Sequence, residues 1–122
     1  MLRFTANVHG VNPSAGLPVG FDHVTAQFAA LPRMFIEPDG SFVWTGATDD
    51  GRSWQVDGNL IDQGAVLAYV ELKGVCPETQ FDELLRTLGW PDSPLVFQLP
   101  RRGVFVDEAE FRRLAASENG AT

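Results

Sequence analysis

Residues 65–90 read AVLAYVELKGVCPETQFDELLRTLGW, and the way this stretch divides decides the fold. Its first half alternates: Val66, Ala68, Val70 and Leu72 share one side, while Leu67, Tyr69, Glu71 and Lys73 share the other. That is the two-residue period of a strand with one buried face. Continued through Gly74, the period brings Cys76 to the buried side with Leu72. The second half changes period. Phe81, Leu84, Leu85 and Leu88 form one apolar stripe on a helix from Pro77 to Leu88, Gly89 suits the position just past its end, and Pro91 blocks continuation. Burying side chains of this kind stabilises by about 1.5–3 kcal/mol each, so the stripe must lie against a sheet.

The junction raises a chemical question, because a thiol at a helix N-terminus can ionise and become a nucleophile. The inward period of the strand places the Cys76 sulfur in the core instead. Its neighbours Glu78, Asp82 and Glu83 are acidic, and both burial and negative charge disfavour a thiolate. Cys76 therefore reads as a packing residue.

Upstream, LRFTANV (2–8) alternates as a first strand, followed by the Gly- and Pro-rich connection HGVNPSAGLPVGF (9–21). DHVTAQFAAL (22–31) fits a helix, with Val24, Phe28 and Leu31 on one side, Asp22 as N-cap and Pro32 as stop. It also alternates like a strand, and its three alanines favour the helix. RMFIEPDGSFVWTG (33–46) is a hairpin about PDG, and after the turn ATDDGR the segment SWQVDGNLI (53–61) is a strand with Gly58 marking a bulge. Downstream, PLVFQL (94–99) and GVFV (103–106) form a second hairpin about PRRG. A last helix starts at Asp107 as cap, with Glu110 closing a capping box and Val106 and Phe111 placed as a hydrophobic staple; it ends near Ala116.

The order strand, helix, four strands, helix, two strands, helix predicts an α+β fold: a mostly antiparallel sheet of five to seven strands with two or three helices packed on one face. The long connection through the middle helix allows a parallel crossover. Residues 1–116 are expected to form a single domain, and SENGAT (117–122) a flexible tail. Phe35, Val43, Ile61, Leu67 and Tyr69 fall on the outer side of their strands, a half-apolar face to be covered by the first helix or by another chain.

Composition bounds the function. The chain has 122 residues, enough for a core without staples, and its 16 acidic against 9 basic side chains give a net charge of −7. That charge repels phosphate backbones and anionic lipid, which argues against nucleic acid as a partner. No apolar run is long enough to span a membrane, and MLRFTANVHG offers no apolar core for a secretory signal, so the chain is expected in the cytoplasm. One cysteine agrees with a reducing compartment.

No motif assigns a cofactor. GVNPSAGLPVG (10–20) lacks the Lys-Ser/Thr pair of a phosphate loop, Ser14 has no nucleophile-elbow context, and TDDG and EPDG lack the ligand alternation of a calcium loop. His9 and His23 bracket the glycine-rich connection, with Asp22 beside the second; together they are the candidates for proton transfer or metal binding, although metal sites need three or four ligands. Arg101 and Arg102 at the hairpin tip, with Arg112 and Arg113 nearby in sequence, form the one concentrated positive patch. Tyr69 and Trp44 are candidates for an aromatic contact surface, and Trp90 for packing on the preceding helix.

The sequence thus favours a noncatalytic protein-interaction domain, a homodimer included, with Arg101, Arg102, Tyr69 and Trp44 as its contact residues. The alternative is a small enzyme or a small-ligand or metal-binding protein with a pocket near residues 9–23 that uses His9, His23 and Asp22.

Overall fold

The computed structural model describes residues 1–122. In chain order it contains β1 (Leu2–Gly10), a 3₁₀ turn (Pro13–Ala15), α1 (Phe21–Ala29), β2 (Met34–Ile36), β3 (Ser41–Ala47), β4 (Ser53–Gln63), β5 (Val66–Cys76), α2 (Glu78–Thr87), β6 (Leu95–Leu99), β7 (Val104–Asp107) and α3 (Glu108–Ala115). The strands form a single antiparallel sheet in the order β2-β3-β4-β5-β1-β6-β7. The fold is α+β, with the three helices on one face. Strands β5 and β6 both run antiparallel to β1, which lies between them, so the connection through α2 is a crossover between parallel strands.

The covered face is built by the alternation seen in the sequence. Leu2, Phe4, Ala6 and Val8 of β1 line up with Cys76, Gly74, Leu72 and Val70 of β5, and Phe42 and Trp44 of β3 with Gly58 and Val56 of β4. Helix α2 buries Phe81, Leu84 and Leu85 there, and α3 buries Phe111 and Ala115. Phe97 of β6 stacks on Phe111 with ring centroids 4.4 Å apart, and Phe81 lies 5.2 Å from Phe4.

Local signals fix the helix ends. Gly89 (φ +108) follows α2, its N–H donating to Arg86 O while the Trp90 N–H donates to Leu85 O, the paired bonds that close a helix through a left-handed residue. At α3, Asp107 Oδ1 accepts the Glu110 N–H at 2.8 Å. The Glu110 side chain bonds Arg113 instead of returning to close the box.

Several expectations are corrected. Helix α1 is capped by the Gly20 backbone, with Asp22 inside the first turn. It packs Phe28 edge-on against Phe42, 5.1 Å away, so it covers the same face as α2 and leaves the far face open. The bulge lies at Ile61/Asp62, where Ala68 has no partner on β4, and the register is regular at Gly58. Gly58 is needed because a Cβ there would collide with the Phe42 ring and with Glu71 O. The bulge shifts the phase of β5, so Leu67 turns into the core while Val66 is exposed.

Residues 117–122 also depart from the tail expected of them. Strand β6 pairs with β1 only over Asn7–Gly10, which leaves the start of β1 with a free edge. Ala121 fills that edge: its N–H donates to Arg3 O at 2.9 Å, its carbonyl accepts the Thr5 N–H at 2.7 Å, and its side chain is buried.

Candidate functional site

Each strand that buries one set of side chains presents the alternate set to the uncovered side. Cross-strand register arranges these into rows. One row runs Phe35, Val43, Asp57, Lys73, Thr5, and the next runs Ser41, Asn59, Glu71, Asn7, Gln98, Phe105. A third pairs Ile61 with Tyr69 and His9 with Val96. The open face is therefore polar along its middle, with apolar side chains along its margins; Phe35 is 67% exposed and Phe105 50%.

A depression of about 470 Å³ lies on this face, lined by Thr5, Asn7, Asp57, Asn59, Glu71, Lys73 and other residues that include Pro100 at the start of the β6–β7 turn. Its chemistry is rich in acceptors. Asp57 and Glu71 contribute carboxylates, and Asn59 Oδ1 is buried without a hydrogen-bond partner. Beside it, Gln98 Oε1 lies 3.2 Å from His9 Nε2 and accepts from Asn7 Nδ2 at 3.3 Å. An amide oxygen only accepts, so Nε2 is the donor in the His9 contact, and His9 Nδ1 is a second buried polar atom with no partner. The imidazole is held between Tyr69, stacked at 5.0 Å, and Phe105 at 5.4 Å, and is 8% exposed.

His9 lies on the open face, whereas Asp22 and His23 are exposed on the first turn of α1, on the opposite side of the sheet. They line a separate depression of about 260 Å³ with Phe21, Asp62 and Gly64. The two histidines are not brought together, and the 9–23 connection is pinned along β5 by the Leu17 N–H donating to Leu67 O at 2.8 Å. No group of three or more His, Cys, Asp or Glu side chains is arranged to hold a metal ion. Cys76 is fully buried, and burial pushes its thiol up to about 12 against a smaller opposing pull from the N-terminal ammonium.

Tyr69 is on the open face, but Trp44 is not a contact residue: it is 2% exposed, meets Trp54 edge-on at 5.0 Å and donates Nε1–H to Pro32 O at 2.8 Å. Arg101 and Arg102 are exposed at the β6–β7 tip and form no ion pair. Arg102 is near enough to α3 for its charge to help hold the Glu110 carboxyl below its ordinary range, after the larger effect of the Arg113 hydrogen bond.

Arg112 separates from that patch. Its guanidinium pairs with Glu78 (3.1 Å), Asp82 (2.7 Å) and Glu108, and lies over the rings of Trp90 (5.0 Å) and Phe81 (5.2 Å). Partial burial opposes its charge, yet the carboxylates outweigh this and hold its pKa above the ordinary value. Trp90 completes the link by donating Nε1–H to Glu108 at 2.9 Å. This cluster fastens α2 to α3.

Asn7, Gln98 and Phe105 were not singled out in the sequence. Their signal is the outward phase of each strand, which becomes a site only once the pairing register aligns four separate segments. No helix is long and apolar enough to cross a membrane. No family model, no curated protein and no solved structure matches this chain.

Proposed function

We propose that this chain is a noncatalytic interaction domain that docks a protein through the open face of its sheet. The observation that carries the reading is the one-sided helix layer: seven strands are covered on one face only, and the other bears unpaired acceptors bordered by aromatic and aliphatic side chains. Interfaces of the non-obligate kind have this mixed character, and Tyr69, Phe105 and Phe35 supply the aromatic area that dominates contact energy. The reading also places the domain in the cytoplasm, with which its single unpaired cysteine agrees.

The test is capture from an extract of the native cells with tagged protein, comparing the wild type with the open-face variant Tyr69→Ala/Phe105→Glu and the opposite-face variant His23→Ala. The reading expects a captured protein, an untagged copy of this chain included, that is lost with the open-face variant and kept with His23→Ala. Capture that survives the open-face changes, or no capture by the wild type, refutes it.

A further inference from the structure

We infer that the occupant of the open face is a second copy of this chain, seated face to face about a two-fold axis, with the Arg101–Arg102 tip of each copy against the Asp57, Asn59 and Glu71 acceptors of the other. This rests on the preceding reading and names the partner. A two-fold interface uses one patch on both subunits, so the patch must carry both halves of every match. The open face and the β6–β7 tip at its border carry them together. Asp57, Asn59 and Glu71 stand on β4 and β5; the row through Asp57 continues through Lys73 and Thr5 toward Pro100, which lines the same depression, and Arg101 and Arg102 follow Pro100 in the chain.

Neither half is ion-paired within the chain, and Arg102 acts on Glu110 of α3 only at longer range. The five intrachain ion pairs use none of Asp57, Glu71, Lys73, Arg101 or Arg102, and Asn59 Oδ1 accepts nothing. Asp57 has only the Gln55 side-chain amide, at 2.8 Å. Guanidinium groups carry five N–H donors and no acceptor, which is what carboxylates and an orphan amide oxygen lack. A purely basic partner would satisfy the acceptors and leave the arginines unmatched, and a purely acidic one the reverse. A second copy satisfies both.

Exchanging the tip with the β4 and β5 acceptors places the two-fold axis along β1, so β4, β5, β1, β6 and β7 overlap. Strands about 4.8 Å apart and three or four outward rows make that overlap about 19 Å by about 20 Å. This is about 400 Å² in projection, smaller than the roughly 800 Å² per partner of a standard interface and in keeping with a weak, concentration-dependent dimer. Two copies of charge −7 repel at long range, so their association depends on this local match.

Sedimentation velocity from micromolar to several hundred micromolar protein tests it, using the wild type and the charge reversals Arg101→Glu/Arg102→Glu and Asp57→Lys/Glu71→Lys. All four positions are exposed, and circular dichroism with thermal melting checks that each variant is folded. The wild type is expected to dimerise, each reversal to weaken self-association at least tenfold, and an equimolar mixture of the two to associate again as a heterodimer. A wild type that stays monomeric throughout overturns the second copy as partner, and dimerisation indifferent to both reversals, or no recovery on mixing, overturns the pairing. If the wild type is monomeric while capture from extract still depends on Tyr69 and Phe105, the second copy fails and the docking face stands; if that capture is insensitive too, both fail.

Discussion

The two faces of the sheet share a backbone and differ in every other respect. On the covered side Phe4, Val8, Val56, Leu72 and Phe97 are sealed beneath three helices. One residue away along the same strands, Thr5, Asp57, Glu71 and Lys73 stand open around a polar depression. Hydrophobic burial scales with the apolar area removed from water, so nearly all of the sheet's contribution to stability lies on the first face. The second face is left free to carry charges and unpaired acceptors that a core would not tolerate. Substitutions on the two faces should therefore separate into those that unfold the chain and those that change only what it binds.

The largest effect is expected at Phe97, whose ring stacks on Phe111 and lies 6.3 Å from Phe81. Phe97→Ala removes the centre of an aromatic cluster that joins β6 to α2 and α3. It should cost about 3–5 kcal/mol in urea unfolding. A loss below about 1 kcal/mol, typical of surface changes, would erase the distinction between the faces. Arg112→Met comes next. It leaves Glu78, Asp82 and Glu108 facing one another without their shared cation, at a cost of about 2 kcal/mol given that the guanidinium is mostly shielded from water. Arg112→Lys should restore only part of this, because one ammonium cannot serve three carboxylates and two ring faces at once.

The difference between the faces also explains what could be read in advance. Wherever burial imposes a period, the sequence was legible: the stripe Phe81, Leu84, Leu85, Leu88 and the alternation Leu2, Phe4, Ala6, Val8 each point to one side by elementary geometry. Legibility failed where a local irregularity resets the phase. The unpaired Ala68 turns Leu67 inward, and nothing in AVLAYV marks it. Trp44 was misplaced for a related reason, since an aromatic residue suits an interface and a core equally and only its alternation with Val43 separates the two. The docking of Ala121 on Arg3 and Thr5 was hidden because it depends on where β6 stops pairing with β1, a property of the whole sheet. The grouping of the open-face acceptors was hidden for the same reason, being drawn from β1, β4, β5 and β6 at once.

Cys76 offers a smaller effect confined to alkaline solution. Folded, the buried thiol holds its proton to about 12, while in the unfolded chain it titrates at its ordinary 9.0. Below that value both states are protonated and stability does not depend on the group. Above it the unfolded chain releases a proton that the folded chain keeps, so stability falls as pH rises, by up to about 1.4 kcal/mol per pH unit from this thiol. The measurement is urea unfolding of the wild type and Cys76→Ala at pH 8, 9 and 10: the variant carries a constant offset from lost packing, and the gap should narrow above pH 9. Parallel curves would mean that the thiol is not held in the covered face.

The smallest expected change in stability is at Glu71, on the open face directly across from Asn59 and Asn7. It makes no ion pair and its side chain is exposed, so Glu71→Gln should leave the urea midpoint within about 0.5 kcal/mol of wild type. The same substitution keeps the shape of the depression and removes one of its two carboxylates, so it should weaken self-association measured by sedimentation. That pairing of an unmoved midpoint with weaker association has no counterpart at Phe97 or Arg112, where any change in binding would follow a change in folding. If Glu71→Gln instead lowered stability by more than about 1 kcal/mol, the carboxylate would belong to the fold, and the open face could not be treated as a surface free for binding.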